Sequence, residues 1–376
     1  MRKALLTAAC LCGFLALGSG VDAWSAPAAD EEGAVAAQGP GADPAVQEQG
    51  KQREASPWLL LPLVATNPKM GTSLGALGAW LHYFDSRSQV SMFGVMAQYS
   101  TTDSVVAGLF ARTSFGADRH RAEGVAGYGY VENDYEDYLG TGEPFETTED
   151  LRAIAARYLY RFKGDWFVGG QGIFANYTVT GTSAMADKFL SFLGLAGINA
   201  GGLGVALMHD SRDNQDMPVK GWYGALNNIA NREWLGADTD YDTYRLDTRW
   251  FWKHGKGHVL AARQNNQLTF DAPASSEATI QLRGYKMEQY LGKHMSSIEA
   301  EERLRLSRRW GATLFAGVGW LYGSGDRLLD SDGYYPSWGG GVQFVVKPED
   351  HMLMSLEYAD GDSSNYGIYL TFGYAW

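Results

Sequence analysis

Cysteine is almost absent from this chain of 376 residues, because Cys10 and Cys12 near the N-terminus are the only two. The remaining sequence can form neither a disulfide nor a cysteine-based metal centre. Histidine is also scarce, and among the seven histidines only His254 and His258 lie close together. No acidic residue or cysteine stands beside this pair, so we predict no metal and no cofactor.

Long apolar segments and clustered basic residues are missing as well. After the N-terminal region no run of 18 or more uninterrupted apolar residues occurs, which excludes membrane-spanning helices. The formal charge of -12 argues against nucleic acid as a partner, because phosphate contacts require clustered Lys and Arg. No phosphate-binding loop and no GxSxG motif occur, and the adjacent His209 and Asp210 are interpreted as a coincidence at a strand end. We therefore predict no enzymatic activity.

The N-terminus has the features of a secretory signal peptide. Arg2 and Lys3 precede an apolar run that ends near Leu17, and small residues follow. We predict cleavage after Ala23, so that residues 1–23, with both cysteines, are removed. Residues 24–56 are rich in Ala, Gly, Gln, Glu and Pro and contain one aromatic residue, which predicts a disordered linker.

From Pro57 onward, apolar and polar residues alternate with a period of two, which predicts β-strands. In residues 244–252, aromatic or apolar side chains fall on one face while Arg245, Asp247 and Arg249 fall on the other. The alternation predicts sixteen strands, at about 57–66, 72–84, 88–100, 104–116, 119–132, 150–162, 165–179, 200–210, 219–232, 241–254, 257–270, 295–308, 311–323, 336–347, 350–360 and 365–376.

A soluble β-sandwich would also alternate, so three further features decide the fold class. Arginines recur on the inward face of several strands, aromatic residues crowd the strand ends, and most of the long connections follow odd-numbered strands. Short turns on one side and long loops on the other are typical of outer-membrane barrels. We predict that residues 57–376 form an all-β, transmembrane antiparallel β-barrel of sixteen strands, located in the outer membrane with both termini in the periplasm.

The stretch GLGVALMHDSRDNQDMPVKGWYGAL carries a family resemblance. Its turn motif consists of Asp210, Arg212, Asp213, Pro218 and Gly221, with Ser211 and Asn214 between them, and the segment YLGTG at 138–142 supports it. The barrel segment resembles the BamA/TamA superfamily, also called the bacterial surface antigen family. Because Asp, Ser and Asn favour turns, the motif itself is interpreted as a structural cap of a hairpin.

The resemblance extends to the C-terminus of the chain. Phe372, Tyr374 and Trp376 resemble the β-signal that the barrel assembly machinery reads, although that signal more usually ends in Phe. Superfamily members that insert proteins recruit their clients with periplasmic POTRA domains. This chain is expected to be a short form that lacks them.

The segment Gln281, Leu282, Arg283, Gly284 and Tyr285 lies in the connection between the eleventh and twelfth strands. From its composition alone it is a solvated turn. The family resemblance implies instead a loop that folds into the lumen, with its arginine latched to an acidic residue of the inner wall. Gly284 would allow a tight turn and Tyr285 would wedge against the wall.

Acidic partners for Arg283 are available on the twelfth strand. Glu299 and Glu301 alternate with Arg303 on one face of that strand and are the candidates. Relatives commonly carry an aspartate on the thirteenth strand, but this strand reads FAGVGWLYG and has no acid.

Two functions remain open from the sequence. The resemblance implies movement or insertion of polypeptide, or of lipid, through a weak seam between the first and last strands, where Pro62 cannot donate to a ladder. The alternative is a passive or plugged channel, in which inward Arg157, Arg161, Arg245 and Arg249 tune ion selectivity. Expected partners are the lipid bilayer, the barrel assembly machinery, and an unfolded polypeptide client or a periplasmic partner.

Overall fold

The computed structural model of the protein describes most of the chain beyond residue 55. The described residues are 56–67, 71–135, 145–181, 188, 197–215, 217–285, 290–323, 327–329, 334–347, 352–361 and 365–372. The predicted signal peptide, nearly all of the predicted linker, the segment 138–142, and Tyr374 and Trp376 of the β-signal lie outside these ranges.

Sixteen strands form one antiparallel sheet, as the alternation predicts. They are β1 Trp58–Asn67, β2 Gly71–His82, β3 Ser91–Ser100, β4 Val105–Phe115, β5 His120–Tyr135, β6 Phe145–Lys163, β7 Trp166–Gly181, β8 Gly197–Asp210, β9 Gly221–Asn231, β10 Tyr241–His254, β11 His258–Phe270, β12 His294–Arg305, β13 Trp310–Tyr322, β14 Tyr334–Lys347, β15 Met352–Gly361 and β16 Tyr366–Phe372. Most boundaries fall within a few residues of the prediction; β6 begins five residues earlier.

Each strand pairs with the next one along the chain. The three longest connections, 182–196, 271–293 and 323–333, follow the odd-numbered strands β7, β11 and β13. The connection 211–220 after the even-numbered strand β8 is one residue longer than 136–144 after β5. The sheet curves until Cα atoms of β1 and β16 come within 8 Å of each other. Among the described residues these two strands form no hydrogen-bonded ladder.

The two faces of the sheet differ in a way that rules out a soluble sandwich. On β10, Tyr244, Leu246 and Trp252 are between 37% and 50% exposed, whereas Asp247 and Arg249 are at most 4% exposed. The same inversion recurs on β6, where Ile154 is exposed and Arg157 is buried. A sandwich buries its apolar face and solvates its polar one. Here the apolar side chains point outward and the charged ones are packed inside.

An apolar group lines the inner face beside the first strand. This seam cluster consists of Leu59, Ala79, Leu81, Val90 and Met92, with Leu77, Phe110 and Met354 packed against it. Met354 belongs to β15 and the other members to β1, β2, β4 or the connection and strand around β3. Apolar packing therefore joins the two ends of the sheet from within.

Three short elements of the described chain were not predicted from the sequence. They are 3-10 turns at Glu233–Leu235 and Ala274–Ser276, and a two-residue ladder between Ala278–Thr279 and Leu291–Gly292. Alternation over two or three residues carries no detectable period. No helix in the described part of the chain has both the length and the apolarity needed to cross a membrane.

Close contact between β8 and β9 depends on Gly204. A Cβ atom at this position would lie 1.6 Å from the carbonyl oxygen of Asn228, a backbone atom that cannot move aside alone. We expect Gly204→Ala to lower the free energy of unfolding by about 1–3 kcal/mol, measured by urea titration. Gly170→Ala on the adjacent strand is the control, because its nearest atom is 3.8 Å away. Equal losses in both variants would contradict the prediction.

Candidate functional site

The candidate site is built by the inner loop, which we define as residues 271–293 between β11 and β12. Its described part begins with the turn Ala274–Ser276 and the ladder strand Ala278–Thr279. Gln281 then binds the inner face of β11, where its amide accepts from Asn265 at 2.7 Å and donates to Gln267 at 3.0 Å. The loop thus turns inward rather than extending away from the sheet.

Apolar side chains hold the loop against the wall. Ile280, Leu282 and Tyr285 are buried in one cluster with Met295 of β12 and Leu321 of β13. The ring of Tyr285 also meets Tyr290 and Tyr335 edge-on, with centroids 6.0 and 5.8 Å away. This apolar packing attaches the loop to the wall and excludes water from Arg283, which lies between Leu282 and Gly284.

Arg283 attaches the loop to the wall through ion pairs. Its Nη2 atom lies 2.6 Å from Glu299 Oε1 and 2.7 Å from Glu301 Oε2, and its Nη1 atom lies 2.8 Å from Glu357 Oε2. All four side chains are almost completely buried. The structure therefore brings Arg283 to both glutamates considered from the sequence and adds Glu357 of β15. A planar guanidinium can serve several carboxylates at once, which an ammonium group does less well.

The thirteenth strand contributes an aromatic face instead of an acid. The guanidinium carbon of Arg283 stands 3.4 Å from the centroid of the Phe315 ring. The Phe315 ring in turn lies over Gly339 of β14, where an added Cβ atom would be 2.4 Å from its Cζ atom. Cation–π contact is strongest when water is excluded, as it is here. Gly339 leaves the space that this ring orientation requires.

The loop tip is also fixed through its backbone. Gly284 has φ 94°, and a Cβ atom there would lie 2.9 Å from the carbonyl carbon of Asp360, so glycine is needed on both counts. Its N–H donates to the Tyr369 hydroxyl at 2.8 Å, and the Tyr285 hydroxyl donates to the Pro336 carbonyl at 2.6 Å. Together with the ion pairs, the Gln281 bonds and the contact with Phe315, these bonds connect the loop to every strand from β11 to β16.

Glu301 links Arg283 to a second arginine. Its Oε1 atom lies 2.6 Å from Nε of Arg303, and Arg303 stacks 5.3 Å from the ring centroid of Phe251. A buried carboxylate without a partner is strongly unfavourable, so each arginine here is required by the acids that surround it. The site is a shared network rather than a single pair.

The turn motif belongs to a separate ion network at the end of the sheet with short turns. Asp210 is buried and accepts from Arg121 of β5 at 2.6 Å and from Arg212 at 2.8 Å. Asp213 accepts backbone N–H groups of Val219 and Lys220, the residues that follow Pro218. Gly221 has φ 100°. These contacts hold the β8–β9 connection against β5, and they agree with a structural role for the motif.

The described histidines His209 and His254 pack against neighbouring side chains of the sheet. His209 points outward and stacks on Trp222 at 3.8 Å, whereas Asp210 points inward, because neighbours on a strand face opposite sides. His254 lies 2.8 Å from Glu302. In the part of the chain that the structure describes, no group of three His, Cys, Asp or Glu residues could hold a metal ion.

Most of the inward arginines have acidic partners. Arg157 lies 2.6 Å from Glu123, Arg249 lies 2.7 Å from Asp247, and Arg161 is paired with Asp118. Arg245 is half-buried. The positive charge on this wall is therefore largely compensated within the sheet.

The arrangement of strands in this chain is similar to that of several solved structures, and this similarity defines the fold. BamA from Haemophilus ducreyi lacking POTRA domains 1-3 is similar at a TM-score of 0.54 and 12% identity, over 85% of this chain and 70% of that one. The chain has the fold of the BamA and CdiB barrels. CdiB from Acinetobacter baumannii (TM-score 0.57, 9% identity) and CdiB from Escherichia coli (0.54, 10%) each match 84% of it. This chain spans 59% and 61% of the two CdiB chains.

No family model and no curated protein matches this chain.

Sequence reasoning missed three members of the Arg283 site. Glu357, Phe315 and Tyr369 lie 32 to 86 residues from Arg283 along the chain, and only the strand register brings them to it. One signal was present. Leu353, Ser355, Glu357 and Ala359 are the buried face of β15, so an isolated acid stood among apolar and small inward residues.

Removal of the Arg283 guanidinium should release the loop. Arg283→Ala leaves three buried carboxylates without this partner, and we expect a loss of roughly 3–5 kcal/mol of unfolding free energy. Backbone amides of residues 278–285 should exchange with deuterium much faster, as measured by mass spectrometry. Arg283→Lys keeps the positive charge but not the planar guanidinium, so its stability and its exchange rate should lie between those of wild type and Arg283→Ala. Lys256→Ala, in an exposed turn, is the control. Unchanged exchange in Arg283→Ala would rule out this anchoring role.

Proposed function

We propose that this chain is an outer-membrane β-barrel that moves or inserts polypeptide, or lipid, at a seam between β1 and β16. The observation that carries the proposal is the approach of these strands within 8 Å without a ladder among the described residues, while every other neighbouring pair is hydrogen-bonded. The proposal includes export by the signal peptide 1–23, a periplasmic linker at 24–56 and both termini in the periplasm.

The seam costs less to open than any other strand boundary. Separating two paired strands breaks a row of backbone hydrogen bonds, and in lipid each unpaired group costs several kcal/mol. At the seam the described contact is apolar packing of Met354 against the seam cluster. Pro62 on β1 has no N–H to donate. Opening would present two strand edges, which are templates for an incoming strand.

The Arg283 network determines which strands move together. It joins β12, β13 and β15 through side chains and β16 through the Tyr369 hydroxyl. Strands β11 to β16 are thereby one unit, and β16 should shift with that unit rather than peel away alone. The loop acts as a latch that keeps the C-terminal side of the seam rigid while the other side moves.

The exposed apolar face supports placement in a bilayer. Leucine, isoleucine and aromatic side chains on the outer surface include Leu60, Leu109, Ile154 and Phe174. Such an exposed apolar surface is compatible with lipid, and its aromatic ends with the two interfaces. The expected partners are the bilayer, the barrel assembly machinery, which would read Phe372, Tyr374 and Trp376, and a polypeptide client or periplasmic partner. No step in this function needs a cofactor, a metal or a catalytic residue.

A second function is a plugged channel, and the inner loop favours it. The loop lies across the inner faces of six strands, and most of the inward arginines are paired with acids. Such a loop would obstruct an aqueous lumen that sixteen strands enclose. The two functions differ in what must move: the seam in the first, the loop in the second.

Locking the seam tests the first function. Cysteine pairs between 58–63 and 366–369 are screened for crosslinking in a chain with no other cysteine beyond residue 12. The rate at which the reconstituted protein accelerates insertion of an unfolded outer-membrane barrel into vesicles should fall to the uncatalysed rate on oxidation and recover with reductant. A control pair at Leu60 and Gly78, which face each other on β1 and β2, should have no effect. Full activity with the seam oxidised would eliminate the seam mechanism.

Single-channel recording tests the second function. Wild-type protein in a planar bilayer should show a closed baseline with rare openings, because the latched loop fills the lumen. Arg283→Ala should open more often and for longer. A steady, large conductance that is the same in both proteins would show that the loop does not act as a plug.

A further inference from the structure

A recess of about 710 Å³ lies at the end of the sheet with short turns, between the β2–β3 and β4–β5 connections. Its walls are polar and carry three arginines. The lining residues are Asp85, Ser86, Arg87, Gly116, Ala117, Arg119 and Arg161. It is distinct from the Arg283 site, which lies on β11 to β16.

Two of the three arginines are available to a ligand. Arg87 and Arg119 are exposed, and neither guanidinium forms an ion pair or hydrogen bond with a described residue. Arg161 is paired with Asp118 but its Nε atom has no hydrogen-bond partner in the described structure. Three arginines line one recess, and two of them, Arg87 and Arg119, are exposed. Such a set of guanidinium groups attracts an anion with several oxygens.

The one acid in the lining, Asp85, is held by hydrogen bonds from neutral groups and offsets only part of these charges. Asp85 accepts hydrogen bonds from the Ser88 hydroxyl at 2.7 Å and from the backbone N–H groups of Ser88, Arg87 and Ala117 at 2.9 to 3.1 Å. The Ser88 bond and these amides lower the pKa of Asp85 to about 2. Asp85 is therefore ionised and offsets one of the three arginine charges, so the lining keeps a net positive charge.

A row of rings runs along the outer surface beside the recess. Phe84 meets Phe115 at 6.2 Å, Phe115 stacks on His120 at 5.0 Å, and Nδ1 of His120 lies 2.6 Å from the Tyr158 hydroxyl. Rows of aromatic side chains are typical of the level at which a bilayer meets water. Phe84 precedes Asp85, and Phe115 precedes Gly116, so the recess begins where this row ends. With the bilayer placement of the proposed function, the recess would lie at the level of the lipid phosphates.

We propose that this recess binds the phosphate of an anionic phospholipid headgroup in the leaflet on the side of the short turns. The inference rests on the bilayer placement in the proposed function. Arg87 and Arg119 would face the phosphate oxygens as planar forks, while the acyl chains lie along the outer surface at Phe84 and Phe115. A soluble phosphate would use the same arginines but would gain nothing from the aromatic row.

Native mass spectrometry of the detergent-solubilised protein tests the proposal. Equimolar phosphatidylglycerol and phosphatidylcholine are added, and the ratio of bound lipids is measured. Wild type should prefer phosphatidylglycerol. In Arg87→Gln/Arg119→Gln the ratio of bound phosphatidylglycerol to phosphatidylcholine should fall about five-fold for each arginine removed. Lys256→Gln/Arg308→Gln removes the same charge from exposed turns at the same end and should keep the preference.

Two outcomes overturn the proposal. Equal losses in both double variants would mean that only the overall charge of this end matters. Displacement of the lipid by glycerol 3-phosphate at equal concentration would assign the recess to soluble phosphates. If the double variant does not fold, the single variants and a salt series on wild type decide, because a preference unaffected by salt is not electrostatic.

A separate measurement distinguishes failure of this inference from failure of the bilayer placement. Wild-type protein is refolded into vesicles of phosphatidylcholine alone and assayed for protection from protease. Insertion without any preference for phosphatidylglycerol would refute the headgroup site only. No insertion into any vesicle would refute the placement itself.

Discussion

The cost of burying a charge governs the C-terminal half of this protein. A guanidinium in a water-free interior must be surrounded by anions and polarisable faces, because its hydration is lost. Arg283 obtains its anions and its aromatic face from β12, β13 and β15. The first two strands are neighbours, and β14 separates them from β15. The loop position, the ring orientation of Phe315 and the glycine at 339 all follow from that requirement.

Two parts of the inner face are held by different kinds of contact. Around β5 to β11, arginines and acids on adjacent strands neutralise one another, as Arg249, Arg263 and Asp247 do at 2.7 and 3.0 Å. Beside β1 to β3 the inner face carries the apolar seam cluster, together with a buried hydrogen bond between Ser73 and Gln98. Ion pairs are directional and resist displacement, whereas apolar contacts allow sliding. The wall next to the seam therefore depends more on apolar packing than the wall around β5 to β11 does.

Much of this architecture could be predicted from residue order. Alternation with a period of two determines strands and faces independently of distant contacts, so sixteen strands with nearly correct bounds follow from it. Glu299 and Glu301 were recognisable because they alternate with Arg303 on one short stretch. Glu357 and Phe315 were not assigned, because the register that aligns β15 and β13 with the loop is a property of the assembled sheet. The missing acid on β13 is explained by Phe315, which offers an aromatic face instead.

The loop contacts also impose an order on folding. Apart from Asn265 and Gln267, the hydrogen-bond and ion-pair partners of the loop tip lie later in the chain, up to Tyr369, 85 residues beyond Gly284. Hairpins joined by turns as short as two residues can pair locally as they emerge, and such contacts form quickly. The tip cannot reach its final position until β16 is present. Docking of the tip therefore shows that the last strand has joined the sheet. In a chain truncated before β16, the charged loop would lack its bond to Tyr369.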